Sequence, residues 1–332
     1  MSYFNTNFTK HPILSFISSP LPPSTSAGLV SELRMAEEEL CLEGTVRVIE
    51  ASLSQIKWRL KHSSKSRLQV DILALLAGMR PCIMVDYGGM MPELGDHLCA
   101  FLNHCRKESS AFELLRVMVI DDMVYLIHVK AFADFVKSSL CLETPPLFVN
   151  LEHDPPKMVT SSEESPPLMQ LLLAQKMFSS VFLADKIGGH LQRHGAYKAI
   201  SPTDGQADSV LVDLSCHLKE CQVTIPTLNG WLLGYPVIYL FGKDCIHRAV
   251  YNLSTKSLHI YQIFVDRSNG KGSQKEELMS FTVPYELSLE GGNETWARSF
   301  YALMQARLEK CRHIWRSVHM EVISSYPQAI AL

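Results

Sequence analysis

At 332 residues the chain is long enough for one large domain or two small ones, and it can bury a sizeable core without disulfide or metal staples. Hydrophobic residues make up 47% and charged residues 20%, the composition of an ordinary globular protein. The net charge of -3 excludes strong bulk attraction to nucleic acid or an acidic membrane, so neither is expected as a partner, whereas a protein partner stays open.

Residues 1–27 are rich in Ser, Thr, Pro and Asn, with Pro20, Pro22 and Pro23 clustered, and read as a disordered tail. They lack a signal peptide's charged start, apolar run and small-residue cleavage site. Gly28–Leu40 shows Leu29, Leu33, Ala36 and Leu40 at helical spacing. Val46, Ile49, Leu53, Ile56 and Leu60 form a clear apolar stripe, which predicts a helix. Lys57, Arg59, Lys61, Lys65 and Arg67, broken by Ser63 and Ser64, read as its solvated basic face. A more buried helix is expected over 66–79, because its residues are apolar all round.

Pro81–Tyr87 reads as a short buried strand, closed by Gly88 and Gly89. Pro92 can open a helix that runs to about Lys107. Leu114–Val129 holds two runs of strand-forming residues that meet at Asp121 and Asp122. A helix near 131–139, a strand near 147–151 and a helix from Leu168 to about Gly188 follow. Between the last two, 153–167 holds four prolines and is the best candidate for an internal linker.

The second half reads mainly as strands. Val210–Leu214 is one. A hairpin is expected across Asn229-Gly230, joining 222–227 to 231–241, with Pro236 at an edge or bulge. A second is expected across Ser254–Ser257, joining 248–253 to 258–265. Glu277–Tyr285 returns as a strand. A long helix then begins with Asn293 as N-cap and keeps Trp296, Phe300, Met304, Leu308, Cys311, Trp315 and Val318 on one face. The fold class these elements imply is α+β: one domain over 28–325, with a mixed or largely antiparallel sheet and flanking helices.

Nine scattered cysteines, with no C-x-x-C pair and several inside apolar runs, read as reduced thiols in a cytoplasmic or nuclear protein. No stretch is long and apolar enough to span a membrane. The sequons at Asn252 and Asn293 are therefore not expected to carry glycans.

Dinucleotide and phosphate-loop fingerprints are absent, so no cofactor is assigned. Asp86, Asp121-Asp122 and Asp213 each follow a short buried strand. If those strands were parallel and adjacent, the acids would gather at one sheet edge and could hold Mg²⁺ for hydrolysis or phosphotransfer, with Asp86, Asp122 and Asp213 as the set. The plainer reading, which the flanking strands fit better, makes Asp121-Asp122 a hairpin turn.

Cys82, Cys216 and Cys245, with His128, His217, His247 or His259 as bases, are the residues a cysteine hydrolase would use, but no family-type sequence frames them. His97, Cys99, His104 and Cys105 cluster on a helix from which four tetrahedral ligands cannot converge. Tyr235, Tyr239, Tyr251, Tyr261 and Phe264 have mostly apolar neighbours, which favours core packing over base stacking. No catalytic or metal-binding residue is therefore assigned, and the leading reading is an interaction or scaffolding module.

The segments Cys-Ile-Met-Val-Asp-Tyr-Gly-Gly (82–89), Val-Met-Val-Ile-Asp-Asp-Met-Val-Tyr-Leu-Ile-His (117–128) and Leu-Asn-Gly-Trp-Leu-Leu-Gly-Tyr-Pro-Val-Ile-Tyr (228–239) resemble a family. It is the uncharacterised vertebrate family named for human chromosome 1 open reading frame seventy-four. The resemblance covers roughly residues 45–320. It implies a single intracellular domain without a known cofactor, and no residue roles.

Overall fold

The computed structural model describes residues 42–140, 145–159, 165–184, 209–219, 221–267 and 275–330. The expected tail over 1–27 and helix over 28–40 lie outside them. From the first described residue onward the chain forms one compact α+β unit.

Helices α1 (Leu42–Gln55) and α2 (His62–Leu76) open it, followed by strand β1 (Cys82–Met84) and helix α3 (Glu93–Glu108). Strands β2 (Leu115–Ile120) and β3 (Met123–His128) lead into α4 (Val129–Ser138). Strands β4 (Leu147–Asn150) and β5 (Lys157–Met158) precede α5 (Pro166–Ala184), and β6 (Leu211–Asp213) precedes the short α6 (Ser215–Leu218). Helix α7 (Ile225–Leu232), β7 (Val237–Leu240) and α8 (Ile246–Ser254) follow. Strands β8 (Leu258–Arg267) and β9 (Lys275–Pro284), helix α9 (Thr295–Glu309) and β10 (Trp315–Ser325) complete it.

Three small sheets result, ordered β1-β3-β2-β6, β5-β4-β7 and β10-β8-β9. The first is the centre of a three-layer arrangement. Side chains alternate across a strand. Val117, Val119, Val124 and Leu126 therefore join one core with residues of α1, α2 and α3. Met118, Ile120, Tyr125 and Ile127 join a second core with α4, α5 and α7. All six residues of β2 are buried, Arg116 among them, which fits the apolar run Val117–Ile120.

Four expectations are corrected. The Asn229-Gly230 hairpin is instead α7, opened by a Pro in its first turn. Gly230 faces β7 in this helix, where a Cβ would meet Ile238 Cα at 3.5 Å, an ordinary packing distance. Residues 248–253 are helical, within α8: its buried Ala249, Asn252 and Leu253 form one face of an amphipathic helix. The long C-terminal helix ends at Glu309 with N-cap Glu294 rather than Asn293, and Trp315 and Val318 lie on β10. The basic stretch is also split: Lys57, Arg59 and Lys61 lie between helices, outside any helical face.

Candidate functional site

β1 and β2 each run antiparallel to β3, and β6 runs parallel to β2. β1, β2 and β6 therefore point the same way, and Asp86, Asp121-Asp122 and Asp213 do reach one edge of the sheet. They are not placed as one ligand set. With strands roughly 4.8 Å apart, the β1 and β6 ends are separated by about 14 Å. Asp213 is in register with Val119, whereas Asp86 is one residue past Val85, which bonds on the row of Val124. The pleat thus sends Asp86 and Asp213 to opposite faces.

Each acid also has a local structural task. Ile120 and Met123 pair directly, so Asp121-Asp122 is the two-residue turn of the β2–β3 hairpin. Asp121 has φ 51°, the left-handed region that Asp tolerates better than most residues. Asp213 Oδ1 accepts the Ser215 amide at 2.9 Å and the Ser215 hydroxyl at 2.6 Å. That hydroxyl in turn accepts the Asp121 amide at 2.9 Å, which ties the turn to the start of α6.

The thiols of Cys82 and Cys245 are both raised in pKa. Cys82 is fully buried, and burial pushes its thiol well above the ordinary range. Cys216 and His217 lie on the four-residue α6, not on a strand, and Cys216 is exposed. Cys245 and His247 straddle the start of α8 instead of sharing a strand face. Desolvation and then the Glu152 carboxylate raise the Cys245 thiol, which disfavours the nucleophilic thiolate. His97 stacks on Trp58 with centroids 5.6 Å apart. Among the described residues no group of three or more His, Cys, Asp or Glu side chains is placed to hold a metal ion. Of the ring residues, Tyr261 is buried and Tyr239 donates to the Thr282 carbonyl, whereas Tyr251 is 61% exposed and departs from the core-packing expectation.

Sequence reasoning missed a buried charge network. Asp71, 1% exposed in the middle of α2, accepts the Tyr87 hydroxyl at 2.8 Å and lies 3.1 Å from Arg67 Nε. Burial raises its carboxyl pKa, against the pull of Arg67, Arg80 and the Tyr87 hydrogen bond. Arg67 and Arg80 then reach β9. Arg67 Nη1 donates to Glu277 O at 2.9 Å, and Arg80 Nη1 donates to Leu278 O at 3.2 Å. Arg80 Nη2 donates to Leu233 O at the C-cap of α7, where carbonyls lack helical partners. The signal in the sequence was Asp71 itself, a lone acid inside Leu-Gln-Val-Asp-Ile-Leu-Ala-Leu-Leu with an arginine four residues before it.

The two edges of the β10-β8-β9 sheet consequently differ. Carbonyls of β9 are taken by Arg67, Arg80 and Tyr239. β10 is the opposite edge and eleven residues long. Tyr301 Oη donates to its main chain at Val318 O, 3.0 Å. Ile323 is 50% exposed there, and Tyr326, just beyond, is 87% exposed. Such an edge is a template for another strand unless it is blunted.

Fold and edges together define an α+β domain in which, over the described residues, the β9 and β10 edges of one sheet differ in how their main chains are capped. The chain belongs to the family described as Domain of unknown function (DUF4504), whose family model matches residues 50–332. Comparisons with curated proteins and with solved structures gave no match. Among the described residues no helix is long and apolar enough to cross a membrane.

Proposed function

We propose that this chain is a protein-interaction module of the cytoplasm or nucleus, from the family named for human chromosome 1 open reading frame seventy-four. The observation that carries the reading is the asymmetry of the β10-β8-β9 sheet: donors seal β9, while β10 keeps a long edge beside exposed Ile323 and Tyr326. An extended segment adding to such an edge gains main-chain hydrogen bonds, and alternate side chains supply specificity. Free cysteines throughout the described residues support a reducing compartment. The test is affinity capture from cytosolic and nuclear lysates with the full chain and with the Ile323→Lys/Tyr326→Ser variant. Proteins held by the parent chain and lost from the folded variant support the reading. An identical set for both chains, or a thermal shift with Mg²⁺ or Mn²⁺ that points to the acidic edge, overturns it.

A further inference from the structure

We propose that the strand completing the β10 edge is β10 of a second copy of this chain, paired antiparallel about a two-fold axis through Met320. This rests on the interaction reading above and names its occupant. A two-fold interface must be complementary to itself, because each contact between unlike residues occurs twice. Few registers of a given strand meet that condition, and β10 has one that does.

With Met320 opposite the partner's Met320, His319 faces the partner's Glu321, and Glu321 faces the partner's His319. Val318 faces the partner's Val322 on the half-buried inner side. Ser317 faces the partner's Ile323. The Glu321 carboxylate meets an imidazole that can donate to it, valine meets valine and methionine meets methionine, cross-strand combinations that stabilise a sheet, and Ser317 with Ile323 is the one mixed contact. His319 and Glu321 are solvent-exposed in the single chain, at 52% and 48%, so both are open to a partner. His319 already leans on Asp266 at 3.2 Å, and Glu321 pairs with Lys275, so each side chain is held on the outer face of the sheet.

A second observation falls on the same register. A groove of about 400 Å³ lies between α9 and the start of β10, lined by Leu308, Glu309, Arg312, Arg316, Ser317 and Val318 among others. Its lining comes from α9, the turn that follows it and the start of β10. The register that sets His319 against the partner's Glu321 carries the partner's Ile323 to Ser317. It then runs the partner's Tyr326 out over Arg312 and Arg316, where an aromatic face meets guanidinium groups. The two most exposed apolar groups of this edge thereby meet the groove. Tyr301 yields Val318 O to the incoming strand.

The experiment is sedimentation velocity on the full chain over a range of concentrations, with folding followed by circular dichroism. The parent chain forms a concentration-dependent dimer. Glu321→Lys, which sets Lys against His in both symmetry-related pairs, weakens the dimer about ten-fold. The double variant His319→Glu/Glu321→Lys restores it. Met320→Cys, oxidised, forms an intersubunit disulfide at that position that peptide mapping locates and the parent chain lacks. A chain monomeric at its highest soluble concentration overturns the proposal, as does a dimer indifferent to both charge variants. If the chain is monomeric but Ile323→Lys/Tyr326→Ser still loses captured proteins, self-pairing falls and the interaction reading stands. If capture is also unchanged, both fall.

Discussion

Ser215 donates its hydroxyl to Asp213 Oδ1 at 2.6 Å, and this one hydrogen bond decides how the acidic edge is understood. The carboxylate best placed to extend the β2 turn into a metal site already holds the Ser215 hydroxyl and amide, and through the hydroxyl the Asp121 amide. Ser215→Ala is expected to lower stability by about 1 kcal/mol in denaturant titration, the typical net worth of such a bond. Neither the parent nor the variant should gain thermal stability from Mg²⁺. A gain in the parent that Asp213→Asn abolishes would reinstate the metal reading.

Asp71 is a structural acid. Asp71→Ala leaves Arg67 and the Tyr87 hydroxyl without their buried acceptor. Arg67 is one-third exposed and keeps its β9 carbonyls, so the loss is that of buried hydrogen bonds, about 1–3 kcal/mol, and the variant should unfold at lower denaturant concentration. A loss under about 1 kcal/mol would show that water reaches the site.

His128 makes stability depend on pH. Its Nδ1 accepts the Ala131 amide at 3.3 Å and caps α4, which requires an unprotonated nitrogen. Burial first, then Lys130, lowers its pKa below the ordinary 6.5. The unfolded chain therefore binds the proton more readily than the folded one. The contribution is complete above pH 6.5 and is lost as pH falls through the folded value. His128→Asn keeps a capping acceptor without the titration. Chemical denaturation from pH 7.5 to 5 should show a shallower loss in the variant, and equal slopes would refute the cap.

Thiol reactivity should follow burial. Cys216 is exposed and should be modified rapidly in the native protein. Cys105 and Cys311 are buried, with thiols pushed up to about 12 and about 11 by burial, and should react only after unfolding. Peptide mapping after a short alkylation pulse separates these classes.

Much of the architecture is legible in the residues, and the failures have physical causes. β2 and β3 are unmistakable because the period-2 pattern is filled on both faces and the acid pair supplies a turn. The α7 expectation failed because Asn229-Gly230 carries hairpin chemistry, while the proline in the first turn and the burial of Thr227, Leu228, Trp231 and Leu232 favour a packed helix. The α9 stripe continued into β10 because Cys311 and Trp315, both buried, keep helical spacing through a turn that has neither Gly nor Pro. The acids of the candidate site were readable as residues at strand ends. Their separation was not, because β3 inserts between β1 and β2 and no local pattern encodes that. The open edge was equally hidden, since an edge is defined by the strand that is not beside it.

The seal on β9 has a kinetic side. Arg67 meets Glu277 across 210 residues of sequence, and Arg80 meets Leu278 across 198. Contacts closed over such separations are won only after the loop-closure entropy has been met, so they belong to the end of folding. Without them the Glu277 and Leu278 carbonyls of β9 are bare, whereas Asp71 already has Arg67 and Tyr87 only 4 and 16 residues away. A chain in which Arg67 and Arg80 have not yet docked is a stage with two open edges on one sheet, where association with other chains is least selective. Arg67 and Arg80 end that stage on one side only.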